Sequence, residues 1–208
     1  MKEILCYGDS NTWGYNPQTE RRYARDVRWT GLLQEELGTA YHVIEEGLNG
    51  RTTVWDDPIE GYKSGKEYLV PCLETHKPLD LVIIMLGTND LKHRFSLTAF
   101  DIAAGLGTLV DIVKRSETGR GDVSPKVLVI VPPRLGRLTI FGDMFRGGRQ
   151  KSEHLLTHYQ TLAEERGCYL LNADKILVCS EKDGVHFEPE GHRALGLAVA
   201  EKAREILV

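Results

Sequence analysis

Leu81-Val82-Ile83-Ile84-Met85-Leu86 runs directly into Gly87-Thr88-Asn89-Asp90. The apolar part shows no polar alternation, so it predicts a strand covered on both faces, as strands are in a parallel sheet. Val127-Leu128-Val129-Ile130-Val131 has the same character. Ile4-Leu5-Cys6-Tyr7 and His42-Val43-Ile44 are shorter runs, and Cys168-Tyr169-Leu170-Leu171 is a weaker fifth. Between these runs lie stretches of helical period: Trp29 to Leu37, Tyr68 to His76, Leu97 to Arg115, Lys151 to Arg166 and Pro189 to Leu207. Gly38 and Gly167 stand where C-terminal caps belong, and Pro189 suits a first helical turn. Strands alternating with helices imply a parallel sheet with helices on both faces. The expected class is α/β, a three-layer α/β/α sandwich around a five-stranded parallel sheet.

Composition agrees with this class. Of 208 residues, 41% are hydrophobic and 27% charged, a globular balance that excludes disordered and fibrous chains. The length favours one domain spanning 1–208. Lys and Arg number 26 against 30 Asp and Glu, a net charge of −4, so the basic excess of a nucleic-acid binder is missing. No apolar run approaches the roughly 18 residues of a membrane span. The apolar stretch after Met1-Lys2-Glu3 is too short for a signal peptide. Cys6, Cys72, Cys168 and Cys179 are scattered with no C-x-x-C pair, which favours free thiols in a reducing compartment over a metal or redox site. A cytoplasmic protein without nucleic-acid or membrane partners is expected.

Two segments exceed ordinary connections, Gly47 to Lys66 and Pro132 to Gly148, and long loops in compact α/β domains are usually functional. The second carries Leu135, Leu138, Ile140, Phe141, Met144 and Phe145 among arginines. It is expected to make an oligomer contact and narrow a site entrance, the plain alternative being a loop folded onto its own core.

The polar residues that carry chemistry gather at the strand ends. Gly8-Asp9-Ser10-Asn11-Thr12 places a serine at a strand-to-helix turn, where helix amides favour developing negative charge. Asp9 or Ser10 acting only as a helix cap is the plain alternative. The elbow G-x-S-x-G is absent, since Thr12 stands at its second glycine. In Gly87-Thr88-Asn89-Asp90, Asn89 offers an amide donor able to polarise a carbonyl, or it only closes a turn. Asn49-Gly50-Arg51-Thr52-Thr53 is a turn signal that can also aim a backbone N–H into a site. Asp183-Gly184-Val185-His186 can set a carboxylate on one imidazole nitrogen and leave the other free, or be an exposed loop. In a doubly wound sheet ligands bind beyond the carboxyl strand ends where strand order reverses. With the flavodoxin-like order 2-1-3-4-5, Ser10 and Asn89 converge there.

GDS at the first strand end, NG after the second, GTND after the third and D-x-x-H before the last helix together resemble the SGNH hydrolase family, also called GDSL-type esterases and lipases. The blocks appear in order from Gly8 to His186. Asn11 stands where that family usually has leucine, a departure beside the nucleophile position. Gly8-Asp9-Ser10-Asn11-Thr12-Trp13-Gly14, Arg28-Trp29-Thr30-Gly31 and Glu45 to Thr53 look like its aryl-esterase and acyltransferase branch, whose members form homo-oligomers and take short acyl groups. The resemblance implies Ser10 as nucleophile, His186 as base and Asp183 as its orienting carboxylate. It also implies an oxyanion hole from the N–H groups of Ser10 and Gly50 with the Asn89 amide. The partner is then a small ester, and no cofactor is called for. Trp13, just past Ser10, is expected to wall a small acyl pocket or to pack under the first helix. A carbohydrate O-acetyl esterase is the alternative substrate reading, and a non-catalytic flavodoxin-like binding module the alternative class.

Other polar residues suggest no site. His154 and His158 have metal-pair spacing without an H-E-x-x-H pattern or third ligand, so no metal is expected. His192 reads as packing or surface, and His42, His76 and His93 have no partner in sequence. Asp56-Asp57-Pro58 reads as a turn. Gly105-Leu106-Gly107 lacks the third glycine of a dinucleotide fingerprint.

Overall fold

Five strands, β1 (Lys2–Gly8), β2 (Tyr41–Gly47), β3 (Leu81–Met85), β4 (Lys126–Val131) and β5 (Tyr169–Asn172), pair in parallel in the order β2-β1-β3-β4-β5. A computed structural model describes residues 1–208. Helices follow the strands: α1 (Ser10–Trp13), α2 (Trp29–Leu37), α3 (Gly65–His76), α4 (Ala99–Arg115), α5 (Gly148–Ser152), α6 (Leu155–Arg166) and α7 (Pro189–Ile206). Sheet order and layers are those expected from the sequence.

Side-chain alternation along each central strand feeds two separate cores. Leu5, Tyr7, Val82, Ile84, Val127 and Val129 face α3, α4 and α6, meeting Leu69, Ile102, Leu106 and Tyr159. Ile4, Cys6, Leu81, Ile83, Leu128 and Ile130 face α2 and α7, meeting Trp29, Leu33, Leu195 and Val199. Each fully buried Leu, Ile or Val contributes about 1.5–3 kcal/mol of transfer free energy. A polar residue on either face of β3 therefore disrupts a core, which is why that run is apolar throughout.

Helix ends have identifiable causes. Thr98 and Asp101 form a reciprocal capping box that starts α4 at Ala99. Arg28 offers α2 no side-chain cap. His192 of α7 supplies one, its Nδ1 accepting from Trp29 N at 3.3 Å. Several boundaries shift by a few residues, α3 starting at Gly65 rather than Tyr68, and two differences have a clear local cause. The helix read as Lys151 to Arg166 is two, α5 and α6. Ser152 Oγ donates to Arg149 O (2.6 Å) and accepts from Leu135 N (3.1 Å), so its side chain competes with the helical ladder at the break. Strand β2 also extends past Ile44 through Glu45 and Glu46. It is an edge strand, where charged residues are tolerated, and Glu45 receives a two-pronged bond from Arg28 at 2.9 and 3.0 Å.

The long loop from 132 to 148 folds largely onto the molecule. Leu135 and Phe145 are buried, and Leu138, Phe141 and Met144 pack against the first core. Ile140, at 63% exposure, is left outside. No helix is long and apolar enough to cross a membrane.

Candidate active site

Register brings Gly8 level with Gly47 on one side and Met85 on the other, so the chain leaves β1, β2 and β3 at one edge. Asp9 caps α1, its Oδ1 accepting from Asn11 N at 2.9 Å. The cap being Asp9, Ser10 is free for other work. Its Oγ lies 2.9 Å from His186 Nε2. His186 Nδ1 lies 2.7 Å from Asp183 Oδ2. The other Asp183 oxygen accepts from Val185 N (2.8 Å) and His186 N (3.0 Å), so the loop's own backbone aims the carboxylate. Burial pushes the Asp183 carboxyl up, but its bond to His186, the electrostatic attraction of that ring and these N–H groups hold it below its ordinary value. Hydroxyl, imidazole and carboxylate stand in line.

The opposite wall comes from the ends of β2 and β3. Gly50, at φ +82°, turns the loop in the left-handed region that favours glycine. Asn89 Nδ2 donates to Arg51 O at 3.1 Å. Asp90 Oδ1 accepts from Thr53 Oγ1 (2.5 Å) and Thr53 N (3.0 Å), which fastens the same loop a second time. Burial pushes Asp90 up to about 6 despite these bonds. Arg51, itself buried, lies 4.1 Å over the Tyr7 ring and donates to Gly8 O at 3.0 Å and to Glu46 O. One guanidinium thus braces the ends of both β1 and β2. Ser10, Gly50, Asn89 and His186 line a single cleft of about 160 Å³.

The apolar side of this cleft was only partly legible. Phe141, Met144 and Phe145 of the long loop line it, so that loop does narrow the site. Tyr15 lines it too, with its ring centroid 4.1 Å from that of His186. Trp13, expected as a pocket wall, is not among the lining residues. Helix α1 ends at Gly14 in the left-handed region, and Arg22 covers the Trp13 ring at 5.2 Å while its Nε donates to Trp13 O at 2.7 Å. The chain reversal at Gly14 hands the wall to Tyr15. Asn11 does not line the cleft either; its Nδ2 donates to Val185 O at 3.3 Å, tying the serine turn to the histidine loop.

Glu60 and Lys92 also line the cleft, with Asn49 and Val185, and neither charged residue is singled out by the sequence. Asp57, read as part of a turn, does accept from Ile59 N and Glu60 N (2.9 and 3.2 Å), but it also pairs with Arg94 (2.9 Å) and Lys92 (3.3 Å). Burial pushes its carboxyl up, and the backbone bonds and Lys92 overcome this to set it at about 2.

His154 is exposed, and the other histidines have found partners that sequence could not show. His42 meets Glu3 (2.7 Å), and His93 meets Arg146 (2.7 Å). His158 packs against Phe100, their ring centroids 5.9 Å apart. His192 is fully buried between Tyr23 and Phe187. Glu46, Cys72 and His76 bring ligand-type atoms within 4.8 Å of one another. Burial pushes the Cys72 thiol up to about 12, against the thiolate a metal needs, and His76 is already bonded to Glu46 at 2.9 Å.

A serine, imidazole and carboxylate in line at the carboxyl edge of a parallel sheet, with Gly50 and Asn89 lining the same cleft, is equipment for carrying an acyl group on oxygen. The profile of the GDSL-like lipase/acylhydrolase family matches residues 6–194. The chain belongs to that family, and it is an esterase, a carboxylic ester hydrolase. The native aryl esterase of M. smegmatis is 46% identical over 100% of both chains, with a TM-score of 0.95. A carbohydrate acetylesterase from Sinorhizobium meliloti is 42% identical over 99% of each chain, also with a TM-score of 0.95. A lipolytic protein of the G-D-S-L family from Veillonella parvula, 14% identical over 97% of each chain with a TM-score of 0.72, shares the fold. No curated protein sequence matches the chain.

Proposed function

We propose that this esterase cleaves short-chain acyl esters through an acyl-enzyme on Ser10. The observation that carries the reading is the continuous chain from Ser10 Oγ through His186 to Asp183, at 2.9 and 2.7 Å. His186 Nε2 takes the hydroxyl proton as Oγ attacks the ester carbonyl, and Asp183 holds the resulting imidazolium. The tetrahedral oxygen is met by the N–H groups of Ser10 and Gly50 and by the Asn89 amide. Collapse expels the alcohol, which leaves with the proton from His186. Water, activated by the same imidazole, then attacks the acyl carbon and returns Ser10 to its resting form.

A cleft of about 160 Å³ favours acetyl-sized groups. Resemblance to an aryl esterase and to a carbohydrate acetylesterase supports aryl and simple alkyl esters first, with sugar acetates as the second reading. The polar wall of Glu60 and Lys92 favours that second reading. The aromatic wall of Tyr15, Phe141 and Phe145 supports acyl transfer to alcohols in competition with water. Ile140, left exposed on the 132–148 loop, supports a homo-oligomer, testable by light scattering. The four free cysteines support a reducing, cytoplasmic setting.

The decisive experiment is hydrolysis of p-nitrophenyl esters from acetyl to octanoyl, with Ser10→Ala as control. Activity falling with chain length and lost in the variant is expected. Equal activity in the variant overturns the nucleophile.

A further inference from the structure

Glu60 and Lys92 sit in the same cleft as Ser10 and Gly50, yet the proposed reaction uses neither. Lys92 is 2% exposed, which for an ammonium demands compensation. It receives it from Glu60 Oε1 at 2.5 Å and Asp57 Oδ2 at 3.3 Å. Arg94 balances the second carboxylate, with Nη1 2.9 Å from Asp57 Oδ1. Two acids and two bases make the group neutral overall. One acceptor is left over. Glu60 Oε2 takes no hydrogen bond from the protein, and it stands beside Gly50 so closely that a side chain there would overlap it. An unneutralised carboxylate at that place would oppose the oxyanion. Paired with Lys92, it becomes a fixed, compensated acceptor at the mouth of the reaction.

We infer that Glu60, held by Lys92, is a specificity-determining residue that accepts a hydrogen bond from a free hydroxyl on the alcohol part of the ester. Within the second, sugar-acetate reading above, the substrate class is therefore a partly acylated diol or polyol. This rests on the ester-cleaving role of the cleft proposed above. A hydroxyl replacing a methyl normally weakens binding in an apolar cleft; a charged acceptor reverses that order. The reversal corresponds to at least about tenfold in kcat/KM.

The test uses three acetates of nearly equal size: 2-hydroxyethyl, propyl and 2-methoxyethyl. The first can donate a hydrogen bond and the others cannot. The wild-type enzyme is expected to prefer 2-hydroxyethyl acetate over both others by at least about tenfold. Glu60→Met should treat all three alike. In Glu60→Gln the amide oxygen must face Lys92, so the NH₂ group replaces Oε2. A donor now stands where the acceptor was, and the hydroxy and methoxy esters should become equivalent. Ratios of substrates on one preparation cancel any loss of folded enzyme, and the near-isosteric Gln variant carries the test should Met not fold. An order of preference unchanged in the Gln variant overturns the inference while leaving the esterase reading intact. Failure of the wild type on p-nitrophenyl acetate as well removes both.

Discussion

The side-chain amide of Asn89 donates to the backbone carbonyl of Arg51 at 3.1 Å, across two segments that leave different strands. One amide hydrogen is used to fix the loop that carries Gly50. The other remains for the cleft, which Asn89 lines beside Ser10. In the proposed mechanism the same nitrogen both builds the oxyanion site and serves in it.

Asn89→Ala should therefore lower kcat by roughly a hundred- to a thousandfold, the usual cost of one oxyanion donor. The Asp90–Thr53 bonds still hold the loop, so circular dichroism and melting should change little. An Asn89→Ala enzyme within tenfold of wild type would remove Asn89 from the mechanism.

Asp183→Asn tests the orienting carboxylate. The native group accepts from two backbone N–H groups through Oδ1 and from His186 through Oδ2. An amide has one oxygen and cannot meet all three donors. Either the loop loosens or His186 turns to the wrong tautomer, so kcat should drop by roughly 10²- to 10⁴-fold. Labelling of Ser10 by an organophosphate should slow in parallel. Normal labelling with Asn at this position argues against the triad.

His192 offers a pH signature of folding. Burial, then the nearby charges of His186 and Arg28, push its imidazole down to about 3. The folded form is neutral, whereas the unfolded chain takes up a proton as pH falls through its ordinary value of 6.5. Stability from this group is complete above 6.5 and is lost progressively as pH falls toward 3. The loss between pH 7 and 5 is on the order of 2 kcal/mol. His192→Asn, which keeps an acceptor near Trp29 N, should be less stable at pH 7 because it loses ring packing. The gap to wild type should shrink by about that amount at pH 5. The buried Asp9 and Asp90, both pushed up to about 6, titrate in both proteins and cancel in the difference. Parallel urea curves at the two pH values would contradict the assignment.

What was legible in the sequence was local. Strands β3 and β4 declare themselves because neither face tolerates a polar side chain, while the end of β2 hides behind Glu45 and Glu46, whose partners Arg28 and His76 are distant in the chain. Ser10, Asp183 and His186 are readable because each sits in a short motif whose own backbone positions it. Trp13 was placed by its distance from Ser10, but the reversal at Gly14 decides which aromatic reaches the cleft. Glu60 and Lys92 carry no motif. They meet across loops, and only the fold makes the 2.5 Å pair.

Phe141 tests what limits the acyl group. Its ring is 6.0 Å from His186 and 6.3 Å from Phe145, centroid to centroid, and it comes from a loop rather than from the sheet. Truncating it should enlarge a cleft of about 160 Å³ and remove an edge contact to His186 while leaving the Ser10–His186–Asp183 hydrogen bonds in place. An added methylene then finds apolar surroundings instead of a collision, and each buried methylene is worth about 0.8 kcal/mol, or roughly fourfold. Phe141→Ala should shift the p-nitrophenyl ester optimum by two or more carbons, from acetyl toward butyryl or hexanoyl. Acetyl hydrolysis should fall by less than about tenfold, since Phe141 makes none of the hydrogen bonds of the triad. The same opening admits water, so the share of acyl groups passed to an added alcohol should fall with it. A variant that keeps the acetyl optimum would place the length limit on Met144 or Tyr15, which line the same cleft.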